Sequence, residues 1–247
     1  MNLTDPSLSW TSALDGPVLS VLAEYDRPLT VAEIAQKAAR GTEIGIRRVI
    51  QRLVGQGIVI GVTIGKRSGY VLNRRHVAAD GVIRLAGLRR VLWSRMADHI
   101  AHWPSKPVLA RVFGSAARGD GDETSDIDVL FVRPATVSET LADQSSKQKR
   151  SGALATSAAI LAPAGVPQWG APALTQFESD LARLDEEVRA WSGNAMQPVV
   201  RSTLEWDREV RSRHDTATEI LWEGLTLFEQ TPLGIVHFGA RVSDASE

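Results

Sequence analysis

The chain of 247 residues contains no cysteine, which excludes disulfide bonds, thiolate metal sites and cysteine nucleophiles. It also lacks any apolar run of about eighteen residues, and its start, MNLTDPSLSW, shows no basic segment followed by an apolar one. We therefore expect a cytoplasmic protein without a membrane span. The formal net charge is −1, so a surface that attracts nucleic acid has to be a local patch. With 43% hydrophobic residues, the chain can bury a core in one large domain or two ordinary ones.

Residues 1–75 show the pattern of three helices followed by a hairpin. Apolar residues recur at helical spacing from residue 17 to residue 53, and Thr30 and Thr42 are placed to cap the second and third helices. Gly55 and Gly57 end the third helix. Residues 58–64 and 70–72 read as two strands around a turn at 65–69. The order, and above all the stretch TVAEIAQKAARGTEIGIRRVIQRLVGQGIV, resembles the winged helix-turn-helix family, which implies binding to double-stranded DNA.

The charge distribution supports DNA binding independently. Residues 27–75 contain ten basic side chains and two acidic ones, an excess of +8 on a nearly neutral protein. If the third helix buries its apolar side, then Arg47, Arg48 and Gln51 point outward toward bases and phosphates. Lys66 and Arg67, at the tip of the hairpin, are placed for contacts to the DNA backbone. The alternatives are a solvated basic face or a surface that binds another protein.

Residues 76–104 predict one long connecting helix that ends before Pro104, since apolar residues recur at spacings of three and four. We expect this helix to pack either within the chain or on a second copy of the chain, so the sequence is compatible with a homodimer. His99 and His102 share one side of it, but no acidic residue at suitable spacing supports a metal site there.

The stretch FGSAARGDGDETSDIDVLFV, residues 113–132, carries the chemistry. In a strand, residues i and i+2 point to one side with Cα atoms roughly 6.5–7 Å apart, so Asp126 and Asp128 present both carboxylates together. Two such charges about 6 Å apart repel by roughly 3 kcal/mol at an effective dielectric constant near 20. Hard divalent cations relieve that repulsion, and Mg²⁺ binds one or two protein carboxylates together with substrate phosphates.

Gly114 and Ser115 follow an apolar strand and begin a helix, where a small residue permits a phosphate to approach the backbone. Arg118 lies one turn further on and is placed to neutralise phosphate oxygens. The sequence therefore predicts a phosphate-binding turn at Gly114 and Ser115 beside the strand that carries the metal-binding aspartates.

These residues resemble the signature of the polymerase-β-type nucleotidyltransferase superfamily, a Gly-Ser pair followed by Asp-x-Asp in a strand. The flanking residues, with Ser125 directly before Asp126, are similar to its minimal branch. The resemblance implies transfer of a nucleoside monophosphate from a triphosphate, in the first place ATP, to a hydroxyl. It also implies that Gly114 and Ser115 hold the triphosphate while Asp126 and Asp128 hold two magnesium ions.

The superfamily places a third carboxylate on a neighbouring strand, and this chain departs from that pattern. The strand expected in residues 195–206 offers Gln197, Pro198 and Arg201 instead. Glu205 lies near the end of the same segment. Further candidates are Asp207, Glu219 and Glu223.

The predicted fold class is α/β (α+β), with the winged helix-turn-helix joined by the connecting helix to a mixed-sheet nucleotidyltransferase domain over residues 105–238. Residues 135–172 are predicted to be a long loop or insertion with a helix at 153–161, and residues 239–247 a tail. The minimal branch implies an antitoxin-like regulator that modifies or masks a partner nuclease of the HEPN type. The alternative is a transcription regulator whose degenerate transferase domain senses a nucleotide. Antibiotic nucleotidylation is less favoured, because it leaves a DNA-binding module without a task.

Overall fold

The computed structural model describes residues 1–151 and 168–230, which form two compact units. The first unit contains Met1–Leu92 and Asp120–Thr124, and the second contains Trp93–Gly119 and the described residues from Ser125 onward. No helix in these described ranges is both long enough and apolar enough to cross a bilayer.

The first unit has three helices, a hairpin and a further helix. After a short 3-10 turn (Pro6–Ser9) come α1 (Asp15–Glu24), α2 (Val31–Lys37), α3 (Glu43–Gly55), β1 (Val59–Ile64), β2 (Arg67–Leu72) and α4 (Ala79–Ala86). The two strands pair antiparallel from Val59 opposite Leu72 to Ile64 opposite Arg67. This order of elements confirms the one that the sequence predicted.

Local hydrogen bonds begin the helices where the sequence indicated. Thr30 and Glu33 form a capping box at α2, in which each side chain accepts a bond from the other residue's backbone N–H. Thr42 caps α3 by accepting from the Gly45 N–H at 3.2 Å. The inner side of α3 is fully apolar, and its buried residues are Ile46, Ile50 and Leu53.

The single connecting helix predicted for residues 76–104 is wrong, because the structure has two helices there. α4 ends at Ala86 and α5 (Leu88–Ala101) begins after Gly87. Gly87 leaves the helical conformation, with φ −86° and ψ 8°. Glycine is the residue, after proline, that least favours a helix interior, and the apolar periodicity continued across it.

The second unit is built on a four-stranded mixed sheet. Its elements are β3 (Leu109–Phe113), α6 (Gly114–Arg118), β4 (Ile127–Arg133), α7 (Val137–Ser151), α8 (Ala171–Ser192), β5 (Met196–Ser202), α9 (Thr203–Arg211), α10 (Asp215–Glu223) and β6 (Leu225–Glu229). The strand order is β5-β4-β3-β6, with β4 and β5 parallel and the other pairs antiparallel.

The long loop predicted for residues 135–172 is wrong in its first half, where α7 forms. Thr136 and Glu139 make reciprocal backbone bonds of 2.7 and 3.2 Å that begin this helix. Arg133 adds an ion pair to Glu139 at 2.6 Å. The helix predicted at 153–161 and the tail at 239–247 lie outside the described residues.

Helices cover both faces of the sheet. On one face the rings of Trp103, Phe131 and Phe177 pack together, with centroids 5.6–6.2 Å apart. On the other face α9 and α10 pack against the sheet, and the buried cluster there is Leu109, Phe113, Leu130, Val132, Trp206, Ala217 and Ile220. Because side chains alternate along a strand, Asp128 belongs to the same face as Leu130, the one covered by α10.

Candidate functional site

The turn between β3 and α6 brings the backbone close to a carboxylate. Gly114 has a left-handed backbone conformation, with φ +65°. A Cβ atom built there would lie 2.9 Å from the Asp128 Oδ2 atom. Phe113 pairs with Asp128 across the two strands, which fixes this approach. Only glycine combines that conformation with that contact.

Asp126 and Asp128 flank the start of β4. Asp126 is exposed, Ile127 is fully buried and Asp128 is half-buried, which is the alternation expected when two carboxylates share a side. Burial raises the pKa of the Asp128 carboxyl, and the nearby charges of Asp126 and Glu219 raise it further. The site therefore holds negative charge that a cation would stabilise.

The loop before Asp126 is fixed by the start of β5. The buried Asn194 donates from Nδ2 to the Ser125 carbonyl at 2.9 Å. The Ile127 N–H donates to the Ala195 carbonyl at 2.8 Å. The contact of Ser125 with Asn194 is thus made by its backbone, and a phosphate contact of its side chain stays a prediction. Ser115 lies half-buried in the first turn of α6, where its assigned role is likewise still a prediction.

Arg118 contacts two acids that the sequence did not connect with it. Its Nη1 atom lies 2.9 Å from Glu219 Oε1 and 3.2 Å from Glu223 Oε2, both on α10. The three side chains are about half exposed, so a substrate phosphate could compete for the guanidinium. The signal available in the sequence was the i, i+4 spacing of the two glutamates, which places them on one side of the chain wherever it is helical.

The strand beside β4 presents an amide next to Asp128. Gln197 stands in register with Asp128 on the parallel strand β5, and its side chain is exposed. Glu205 caps α9 by accepting from the Ser202 N–H at 2.8 Å, and Asp207 pairs with Arg211 on the surface. Of the acids that the sequence offered, Glu219 is the one whose charge acts on Asp128.

Two carboxylates are a sufficient protein contribution to a magnesium site. Among residues 1–151 and 168–230, no group of three or more acidic or histidine side chains is arranged to hold a metal ion. Mg²⁺, however, keeps several waters and binds through one or two carboxylates together with substrate phosphates. The donor chemistry of Asp126 and Asp128 fits such an ion.

His99 and His102 take part in local structure. The Trp103 indole N–H donates to His99 Nδ1 at 2.9 Å, and His102 Nδ1 lies 2.6 Å from the Asp98 carbonyl oxygen. Burial lowers the pKa of His99, which favours its neutral form.

In the first unit, the outer side of α3 exposes the residues predicted to contact DNA. Arg47, Arg48 and Gln51 are all exposed, as are Lys66 and Arg67 on the hairpin. Within the described part of the chain, the side chains of Arg48 and Gln51 have no ion-pair or hydrogen-bond partner. Arg47 pairs with Glu43 at 3.0 Å.

The positive charge of this region is partly neutralised within the unit. Acidic residues outside the 27–75 segment, which the sequence tally did not include, pair with three of its arginines. The pairs are Arg40 with Asp5, Arg52 with Asp15 and Arg74 with Asp26. Arg47 and Arg52 on α3 are thus both paired, and the basic side chains of this segment without an acidic partner among the described residues are Lys37, Arg48, Lys66, Arg67 and Arg75.

Comparison with known proteins supports the reading of the second unit. Residues 99–187 match the family model described as the nucleotidyltransferase domain. The match includes Gly114, Asp126 and Asp128 and ends before β5, the strand that carries Gln197. No curated protein and no solved structure matches the chain. Residues 99–187 thus match a nucleotidyltransferase domain, and the mixed sheet of the second unit is consistent with that fold.

Proposed function

We propose that the protein is a magnesium-dependent nucleotidyltransferase. It transfers a nucleoside monophosphate from a nucleoside triphosphate, in the first place ATP, to a hydroxyl of a protein or a small molecule. The observation that carries the proposal is the pair Asp126 and Asp128 at the start of β4, where the charge of Asp126 acts on Asp128 and the Asp128 carboxylate lies against the backbone of Gly114. The match of residues 99–187 to the nucleotidyltransferase domain supports the same reaction.

Each residue of the site has a task in this reaction. Gly114 and Ser115 bind the triphosphate, Asp126 and Asp128 hold the metal ions, and Ser125 borders the phosphates. Magnesium ions held by Asp126 and Asp128 would neutralise the phosphate oxygens and lower the pKa of the attacking hydroxyl. The hydroxyl oxygen forms a bond to the α-phosphorus. The bond from the α-phosphorus to the oxygen that bridges the α- and β-phosphates breaks, and pyrophosphate leaves with the electron pair of that bond.

Glu219 is the best-supported acceptor of the hydroxyl proton. Its charge raises the pKa of Asp128, and Gln197 contributes no carboxylate from β5. Glu219 also pairs with Arg118, so release of this arginine to the triphosphate would free the carboxylate. Arg118 would then serve phosphate binding, as the sequence predicted.

A nucleotide sensor without turnover is the second candidate for this domain. The observation that favours it is Gln197, an amide in register with Asp128 where a third carboxylate would stand. Such a domain binds Mg²⁺ and nucleotide and transmits their presence without forming a product.

The first unit is proposed to bind double-stranded DNA through residues 27–75. The order of three helices and a two-stranded hairpin supports this proposal, and among the described residues the exposed side chains of Arg48 and Gln51 on α3 have no ion-pair or hydrogen-bond partner. Such a fusion suits an antitoxin-like regulator that acts on a HEPN-type nuclease and on its own promoter. A homodimer would allow it to read a two-fold DNA site.

Label transfer tests the transferase proposal. The protein is mixed with Mg²⁺, cell lysate and ATP labelled at the α- or the γ-phosphate. Transfer of a nucleoside monophosphate puts α-label, and no γ-label, on an acceptor. Asp126→Asn abolishes it, whereas Asp122→Asn retains it, because Asp122 serves a turn by accepting from the Thr124 N–H at 2.9 Å. Nucleotide binding without any label would support the sensor instead.

A further inference from the structure

Two large apolar side chains of α3 are exposed, Ile44 and Val54, and Ile44 is the more exposed of them. Ile44 is 68% exposed, although isoleucine is among the residues most often buried. At 100° per residue, Ile44, Arg48 and Gln51 project in one direction, opposite the buried Ile46 and Ile50. They stand at positions i, i+4 and i+7 and form one continuous stripe, which we call the α3 stripe.

The position of Ile44 in the helix matters as much as its exposure. It is the second residue of α3, and the N-terminal residues of a recognition helix are the ones that reach base edges. In the major groove, the apolar group that a base presents is the C5-methyl group of thymine. Arginine and glutamine bind guanine, adenine or phosphate oxygens at neighbouring positions.

We propose that Ile44 is a specificity-determining residue that packs on the methyl group of a thymine, with Arg48 and Gln51 contacting the adjacent nucleotides. The inference rests on the proposed DNA binding of the first unit. A polyanion is the occupant that the charges favour, since the cation of Arg48 in the stripe has no intramolecular partner in the described part of the chain.

The experiment compares thymine with deoxyuridine, which lacks only the methyl group. A preferred duplex is first selected with the full-length protein from a random pool. Each thymine of that duplex is then replaced by deoxyuridine, and the dissociation constant is measured for the wild type and for Ile44→Ala. At one thymine, or at its symmetry mate, the wild type loses about fourfold in affinity, which is the factor for about 0.8 kcal/mol per buried methyl group.

Ile44→Ala binds the thymine duplex more weakly and shows no difference between thymine and deoxyuridine at that position. Ile44→Val retains part of the difference. The matched control is Val77→Ala, which also shortens an apolar side chain that is 98% exposed but lies outside α3. This variant should keep the fourfold difference between thymine and deoxyuridine.

Three results would overturn the inference, and they differ in whether the proposed DNA binding would also have to be abandoned. Equal loss from deoxyuridine in the wild type and in Ile44→Ala would mean that another residue contacts the methyl group. Absence of any deoxyuridine effect would mean that no methyl group is read, while DNA binding itself stands. Absence of duplex binding by the full-length protein would remove the DNA proposal as well and would assign the α3 stripe to a protein partner.

Discussion

A comparison of Gly114→Ala with Gly65→Ala distinguishes the cost of backbone strain from displacement of the Asp128 carboxylate. The left-handed conformation at φ +65° costs an L-residue about 1–2 kcal/mol, and the new Cβ atom would also lie 2.9 Å from Asp128 Oδ2. Gly65 is a matched control, because its φ is +61° and a Cβ atom there meets nothing within 4 Å. We expect both alanine variants to lose about 1–2 kcal/mol of unfolding free energy in urea titrations.

The two variants should differ in activity. Asp128 cannot move freely, since its neighbour Ile127 is fully buried and its strand is paired on both sides. A displacement of its carboxylate by a fraction of an ångström to one ångström is expected to reduce label transfer on the order of 100-fold in Gly114→Ala. Gly65→Ala should transfer label at the wild-type rate per folded molecule. Equal transfer by both variants would refute the claim that the Gly114 turn positions Asp128.

Three further predictions concern ion pairs and the α3 surface. Hydrogen bonds from Arg133 hold the pKa of Glu139 at about 2 instead of 4.5, so this stabilisation is complete above pH 4.5 and is lost as the pH falls toward 2. Because the ion pair is partly solvated, Glu139→Gln should cost about 1 kcal/mol of unfolding free energy at pH 7 and nothing at pH 2. A difference in unfolding free energy between wild type and variant that stays constant as the pH falls would contradict this. Arg118→Ala removes the exposed ion pairs to Glu219 and Glu223 and should change stability by less than about 1 kcal/mol, while isothermal titration should show weaker Mg-ATP binding. Unchanged binding would mean that Arg118 serves α10 alone. Arg48→Ala should weaken duplex binding in gel-shift assays. If Arg48 contacts a phosphate, the variant should also lower the slope of log K against log salt concentration by about 1, whereas an unaltered slope would indicate that Arg48 contacts a base.

Features set by neighbouring residues were predictable from the sequence. The caps at Thr30 and Thr42, the strand before Gly114 and the alternation of Asp126, Ile127 and Asp128 all follow from local spacing, and the structure confirms them. A strand within residues 195–206 was predicted as well, and β5 (Met196–Ser202) lies inside that range.

Features that join distant segments were not predictable. Arg118 and Glu219 are 101 residues apart, and their ion pair exists only because α10 packs beside α6. The register that sets Gln197 opposite Asp128 depends on a parallel strand pair, for which one sequence carries no local signal.

Two errors had local causes. The capping pair Thr136 and Glu139 indicates the start of α7, whereas the Ser- and Gln-rich composition that follows it favours a loop. Gly87 was a signal for the end of α4, but uninterrupted apolar periodicity outweighed it.

The most direct measurement counts metal ions at the two aspartates. Mn²⁺ replaces Mg²⁺, and bound ions are counted by electron paramagnetic resonance in the presence of a non-hydrolysable ATP analogue. We predict about two ions per wild-type chain, and a loss of Mn²⁺ and analogue together in the double variant Asp126→Asn, Asp128→Asn. The same ion count and the same analogue affinity in the double variant would show that these carboxylates do not hold metal beside a triphosphate.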